Sequence, residues 1–305
     1  MSGTMRDLAV VIVNHNTAQL LAACLDSLET GGLHGLDAAI WVVDNASTDD
    51  SVQLLRNQFP DVHLIALADN LGFGAANNLA LRAIGFGGPE PAFRHALILN
   101  PDTLVPGGAL ARMVAQIEAE PDIAVLGPKL ILADGSLDLA CRRGFPTPEV
   151  AFYRFSGLSR LLPRHPRFGR YNMSFLDPEQ PADVDAVVGA CMLVRASAAA
   201  EVGCFDERFW MYGEDLDWCL RFHRAGWRVV YRPATTIHHV KRAASRGSRR
   251  ARFEFQRAMW LFYAKHYAAT TSLPVHALVM LGLALRGGPA LAREIWSGRA
   301  RGGAP

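Results

Sequence analysis

The sequence predicts an α/β fold, a mostly parallel sheet flanked by helices with a C-terminal helical segment appended. Over roughly the first hundred residues, short apolar runs of β type alternate with segments of helical period, the pattern of parallel strands joined by crossover helices. Each of those runs ends in a polar, turn-forming cluster. Half of the 305 residues are hydrophobic and a fifth are charged, a composition that builds a sizeable core and excludes a disordered or fibrous chain.

Strands are expected at residues 8–13, 40–43, 62–66 and 96–99. Between the first two, Leu20, Leu21, Cys24, Leu25 and Leu28 recur at helical spacing, and Gly31 and Gly32 supply a stop. Val52, Leu55 and Phe59 mark a second helix, and a third starts near Ala75. Pro106, Gly107 and Gly108 open a fourth, with Leu110, Met113, Val114 and Ile117 as its buried stripe. Residues 141–182 hold seven arginines among aromatics and prolines without a sustained period, so an irregular loop region is expected. Regular signals resume near Val184. The expected organisation is one domain over residues 1–245 and a basic amphipathic helical tail over 246–305.

The net charge of +2 conceals an asymmetry. Residues 1–240 carry 19 basic and 27 acidic side chains, and residues 241–305 carry 12 and 2. A basic tail suits an anionic membrane or nucleic acid. No nucleic-acid-binding module accompanies it, and the body is acidic, so nucleic acid is not expected as a partner. The five cysteines, Cys24, Cys141, Cys191, Cys204 and Cys219, are odd in number and lack any CxxC pair, which points to a reducing compartment rather than to disulfides or a zinc knuckle. The first residues carry no basic-then-apolar leader, so a cytoplasmic location is expected.

In open parallel sheets ligands sit beyond the carboxyl ends of the strands. The polar clusters lie there: Val13-Asn14-His15-Asn16, Asp44-Asn45-Ala46-Ser47, Asp69-Asn70-Leu71-Gly72 and Asn100-Pro101-Asp102. Any one of them is explained equally well by turns and helix caps; four converging on one edge are harder to explain that way. Gly72-Phe73-Gly74 follows the third strand rather than the first and leads to Asn77 in place of the last glycine, so the site is neither a dinucleotide loop nor a P-loop. A second block crowds Glu214, Asp215 and Asp217 behind Gly213. Acidic residues at a helix start are ordinary capping, but Trp210, Met211 and Tyr212 add aromatic and apolar surface suited to a sugar and to tuning a carboxylate for proton transfer. His238 and His239 follow a strand-like Val229-Val230-Tyr231, and with Asp102 they form a candidate site for Mn²⁺ or Mg²⁺.

Taken in order, Val13-Asn14-His15-Asn16, Val43-Asp44-Asn45 with Ser47 and Asp49, Asn70-Leu71-Gly72-Phe73-Gly74 with Asn77, Asn100-Pro101-Asp102, Glu214-Asp215 with Asp217, and Ile237-His238-His239 resemble glycosyltransferase family 2, and in particular its bacterial rhamnosyltransferase-like members. The likeness spans residues 7 to about 245. It implies a GT-A fold in which Val13, Asn14, Asp44, Asn70, Gly72, Asn77 and Asn100 face a nucleotide sugar, with Asp44 at the base or ribose. Asp102 matches the metal-binding carboxylate of the family's D-x-D element, whose first aspartate is Asn100 here and contributes no charge. By the same match Asp215 is the catalytic base, Glu214 contacts the acceptor, and His238 is the later metal ligand, with His239 as second choice; Trp210, as aromatic surface suited to a sugar, is expected at the acceptor as well.

The expected reaction is a single inverting displacement in which Asp215 deprotonates an acceptor hydroxyl and a divalent ion neutralises the leaving diphosphate. Rhamnose is the first choice of sugar, and a lipid-linked or polysaccharide glycan of the cell envelope is the acceptor, with residues 141–182 as its lid. A metal-dependent nucleotidyltransferase and a silent nucleotide-sugar-binding protein are the competing classes. The apolar run at residues 273–285 is too short to span a bilayer, so the tail is expected to lie on the inner face of the cell membrane. The competing expectation is that its surface packs on the catalytic domain or joins two subunits in a homo-oligomer.

Overall fold

The computed structural model describes residues 5–240 and 249–297, and the expected boundary at 245/246 lies outside them. The first half follows the alternation read from the sequence: β1 (Arg6–Asn14), α1 (Ala18–Ser27), β2 (Ala38–Asp44), α2 (Ser51–Gln58), β3 (His63–Ala66), α3 (Phe73–Ala83) and β4 (Phe93–Leu99). Strand β1 is buried without interruption from Leu8 to Asn14, as a strand covered on both faces must be. It pairs in parallel with β2, placing Asn14 opposite Asp44, and on its other side with β4, placing Ile12 opposite Leu99. Helix α1 runs into a tight π turn over Leu28–Gly32, where the sequence predicts a stop.

After β4 come β5 (Thr103–Leu104), α4 (Ala109–Ala119), β6 (Ile123–Leu132), α5 (Pro148–Phe155), α6 (Leu158–Leu161), β7 (Ala182–Asp183), β8 (Cys191–Arg195), α7 (Ala196–Val202), α8 (Glu214–Arg224) and β9 (Arg228–His239). The strands form one sheet in the order β3-β2-β1-β4-β8-β6-β9-β5, with β7 also on β9. Its second half is mixed rather than parallel, because β8 runs antiparallel to both β4 and β6. Sequence reading misses β6, whose apolar run is interrupted by Gly127-Pro128. Pro128 sits at a register shift against β9, and a Cβ on Gly127 would come within 2.5 Å of Val187. Residues 141–182, expected as an irregular loop region, hold the short helices α5 and α6 among turns and loops, and Thr147 caps α5 through Val150 N–H.

Helix α9 (Arg249–His266) packs on the catalytic body. Trp260, Phe262 and Tyr263, in the tail expected on the membrane or packed on the domain, are buried, and Phe262 stacks on Phe145. Asp217, with no exposed surface, accepts from Arg221 at 2.9 Å on its own helix and from Lys265 at 2.6 Å and His266 at 2.7 Å on α9. Packing on the domain therefore describes α9, whereas α10 (Leu273–Ser297) rests on α9 and leaves Leu273, Leu278, Leu281, Leu285 and Trp296 exposed. Helix α10 is long and apolar enough to cross a membrane by length and composition, and it is interrupted at Gly288, whose φ of 75° precedes Pro289. Asp217→Ala strands three cationic or polar partners at a buried seam and is expected to cost about 3–5 kcal/mol of stability. Urea unfolding measures it; a loss below about 1 kcal/mol would mean that these groups simply re-enter water.

Candidate active site

The strand order reverses beside β1, with β2 following on one side and β4 on the other, so a crevice opens at the carboxyl ends of these strands. Asn14 and Asp44, the last residues of β1 and β2, form one wall. Asn14 Nδ2 donates to Asp44 Oδ2 at 2.9 Å, and the other Asp44 oxygen accepts Ser47 N–H at 2.9 Å. Asn45 Nδ2 donates to Asn70 Oδ1 and to the Gly72 carbonyl, both at 3.1 Å, tying the ends of β2 and β3 together. Asp49 accepts Ala18 N–H at the start of α1. Asn16, Ala46 and Tyr212, none of them glycine, hold positive φ at 55°, 64° and 68° around this edge. Such strain persists where surrounding contacts over-determine the backbone.

Gly72 connects this wall to the acidic block. Its φ is 85°, and a Cβ there would stand 2.3 Å from the Trp210 carbonyl, which accepts Phe73 N–H at 2.7 Å. Trp210 is thus held against the polar edge after β3, and one face of its indole is covered by the Arg250 guanidinium at 3.9 Å. Asn77, expected at the donor, is set back instead: one turn into α3 it is fully buried, and its amide nitrogen donates to the Phe73 carbonyl at 2.9 Å.

Gly213, at φ 79°, starts α8 and delivers Glu214 and Asp215 into the interior. Asp215 Oδ2 accepts from Arg143 Nη2 at 2.6 Å and from Gly189 N–H at 3.1 Å, while Oδ1 accepts Leu216 N–H at 2.7 Å. Glu214 differs: its Oε2 is buried with no hydrogen-bond partner among the described residues. Burial first, and then the neighbouring Asp215 charge, push its carboxyl up to about 8. Two adjacent carboxyls are thereby separated in character, one held by a guanidinium and one kept largely protonated at neutral pH.

Glu214→Gln tests this. A carboxyl whose folded pKa lies above the unfolded value of 4.5 contributes stability that is complete below about 4.5 and fades as pH rises toward 8. The glutamine variant lacks that loss, so its melting temperature should gain on the parent's between pH 5 and pH 8. A pH-independent difference would contradict it.

On the other side of the crevice, β5 pairs with the end of β9 and brings His239 Nε2 to 3.3 Å from Asp102 Oδ1. His239 Nδ1 lies 2.8 Å from Asp138 Oδ2. Burial opposes the charge on this ring, but the hydrogen bonds of Asp102 and Asp138 prevail and raise it to about 9. His238, the first choice from the sequence, points the other way: it lies opposite Leu104 and is exposed, because alternate residues of a strand face opposite sides. His239 is therefore the imidazole that meets Asp102. Among the described residues no group of three His, Cys, Asp or Glu side chains converges as a metal cage. One carboxylate and one imidazole, the latter oriented through its second nitrogen by Asp138, nevertheless fit a divalent ion whose other ligands are diphosphate oxygens and water. Arg143 and Asp138 were not singled out from the sequence: Arg143 lies in the aperiodic stretch 141–182 and Asp138 just before it, and nothing local marks their partners.

Residues 189–190 join the two sides. Gly189 N–H reaches Asp215, and the Ala190 carbonyl accepts Asn100 N–H at 3.0 Å, next to the Asn100-Pro101-Asp102 turn. A reversal-point crevice with a carboxylate–imidazole pair on one side and a buried acidic helix start on the other, on this sheet, defines a GT-A glycosyltransferase. The family model described as "Glycosyltransferase like family 2" matches residues 6–258, and the chain belongs to that family.

Among its relatives, N-acetylglucosaminyl-diphospho-decaprenol L-rhamnosyltransferase of Mycobacterium tuberculosis is 30% identical over 92% of this chain and 91% of that protein. Rhamnosyltransferase WbbL of Escherichia coli is 26% identical over 76% and 83%. Low-salt glycan biosynthesis hexosyltransferase Agl10 of Haloferax volcanii is 24% identical over 88% and 76%. Among solved structures, mannosyltransferase PcManGT of Pyrobaculum calidifontis, bound to GDP-Man and Mn²⁺, superposes with a TM-score of 0.57 at 17% identity, covering 99% of this chain and 77% of that one.

Proposed function

We propose that this glycosyltransferase moves a sugar, rhamnose in the first instance, from a nucleoside diphosphate onto a hydroxyl of a lipid-linked glycan, inverting the anomeric centre. The observation that carries the reading is the bridge through residues 189–190, which couples the Asp102–His239 pair to the Asp215–Arg143 pair across one crevice. Val13, Asn14, Asp44, Asn70, Gly72 and Asn100 line the donor edge. Asp102 and His239 would hold Mn²⁺ or Mg²⁺ on the diphosphate; such an ion neutralises charge on the leaving group. Asp215 removes the acceptor proton, Arg143 and Gly189 N–H hold it in place, and protonated Glu214 donates to an acceptor oxygen beside Trp210. The rhamnose preference rests on the similarity to rhamnosyltransferases along nearly the whole chain.

The proposed location is the cytoplasmic membrane surface. Helix α10 lies on it, with its exposed leucines toward lipid and Arg293 near headgroups, a cation contributing about 1 kcal/mol beside anionic lipid. The bond of Tyr263 to His276 and that of Arg257 to Glu294 tie α10 to α9 and hold it against the catalytic body.

Titration of a small nucleotide-sugar panel with Mn²⁺ or Mg²⁺, followed by product analysis, tests the reading. Rhamnose nucleotides should bind best and a nucleoside diphosphate should be released; equal binding across the panel removes the sugar assignment. Release of pyrophosphate instead would make the protein a nucleotidyltransferase.

A further inference from the structure

Beside the crevice, α5, α6 and the loop after them face α9 and α10 across a cavity of about 510 Å³. Arg154, Arg160 and Arg286 line it, and no acidic residue does. Neighbouring arginines are neutralised: Arg167 by Glu149, Arg170 by Asp185, Arg143 by Asp215. None of the three cavity arginines has a carboxylate partner in the described residues, and two are instead propped on aromatic faces, Arg154 over Tyr171 at 4.5 Å and Arg286 over Phe155 at 3.9 Å. Three exposed guanidinium groups without carboxylate partners, around one ligand-sized space, form a site suited to an anion.

Two further observations identify the anion's attachments. The elements that form the cavity expose an apolar rim of their own: Phe155, which lines it, with Phe152, Leu161 and Leu162 on the α5–α6 side, and Leu278, Leu281 and Leu285 on α10. A free phosphate has no use for such a rim, whereas a lipid tail does. The cavity also borders the catalytic corner. Its Phe255 packs edge-on against Tyr212 at 5.7 Å, two residues before Glu214, and the carbonyl of its Tyr171 accepts Gly144 N–H, next to Arg143. Gln256, also in the lining, has a buried amide oxygen with no partner among the described residues, which a sugar hydroxyl can satisfy.

We infer that this cavity seats the diphosphate of a prenyl-diphosphate-linked acceptor, with the three arginines on its oxygens, the prenyl chain leaving over the leucine rim, and the sugar reaching toward Asp215. Guanidinium groups fit phosphate oxygens with paired, directional hydrogen bonds. The inference rests on the lipid-linked acceptor proposed above and adds where that acceptor is held.

The probe is farnesyl diphosphate, titrated calorimetrically into the full chain in chelator, so that metal-bridged binding at the donor edge is absent. The parent should bind it at least tenfold more tightly than pyrophosphate or farnesol. Arg154→Gln, Arg160→Gln and Arg286→Gln combined should weaken it at least tenfold, Arg160→Glu alone should weaken it measurably without touching a packed residue, and Asp102→Ala should leave it unchanged. Parent-like affinity in the folded triple variant or in Arg160→Glu overturns the assignment, as does loss on Asp102→Ala. Pyrophosphate binding as tightly as farnesyl diphosphate would reduce the cavity to a free-anion site and overturn the lipid part. Because no transfer is read, the two proposals fail separately. A parent that binds farnesyl diphosphate through the arginines yet glycosylates no prenyl-diphosphate-linked acceptor refutes the proposed reaction and leaves the cavity standing.

Discussion

Asp215→Asn is expected to lower kcat by about 10²–10⁴-fold with little change in donor affinity, because the amide cannot take up the acceptor proton. Both Asp215 oxygens accept hydrogen bonds, Oδ2 from Arg143 and Gly189 and Oδ1 from Leu216, so the substitution keeps the size of the side chain while removing its charge and giving up the bonds to the oxygen that the NH2 replaces. Arg143→Ala should act through Asp215: it leaves a buried carboxylate without its counter-charge, so the pH at which kcat/KM reaches half its maximum moves upward as kcat falls. Arg143→Lys should recover part of the activity, since it restores charge but not the guanidinium geometry. Single-turnover kinetics with donor affinity measured in parallel checks this. If Asp215→Asn turns over like the parent while Glu214→Gln is inactive, the base is Glu214.

The second large effect concerns the donor diphosphate. Asp102→Ala and His239→Ala should each weaken donor binding by at least about 10–100-fold in Mn²⁺, and both should matter little in chelator. Asp138→Asn should produce a smaller loss of the same kind, because it weakens the hydrogen bond that orients His239 without removing a ligand. His238→Ala should be nearly neutral, since its side chain stands on the exposed face of β9. Calorimetry in metal and in chelator separates these cases. Loss on His238→Ala with none on His239→Ala would reverse the assignment, and equal affinity of the parent with and without metal would remove the ion from donor binding.

The legible part of this molecule is the part built from local repetition. The strand-and-helix alternation through Leu99, the polar turns after β1, β2, β3 and β4, and the Gly213 start of α8 all follow from periods and turn residues within a few positions of one another. A continuous apolar run such as Leu8–Val13 marks a strand buried on both faces before any partner is known, and polar groups at its carboxyl end mark the ligand edge. Strand β6 was illegible because Gly127 and Pro128 break its pattern for a reason that lies elsewhere, the close approach of Val187 and a register shift against β9.

What the sequence by itself determined, then, was the fold class, the edge on which the polar clusters meet, and the resemblance that names Asp102 and Asp215. Tertiary structure alone decided three things. It put His239 rather than His238 beside Asp102, because which face of β9 points inward depends on its pairing with β5. It brought Arg143, 72 residues away in the chain, onto Asp215. It turned the aromatic face of α9 inward, because Asp206 and Asp217 stand where Lys265 and His266 can reach them. Each is a contact between distant segments, and side-chain period within one segment carries no information about which distant group it will meet.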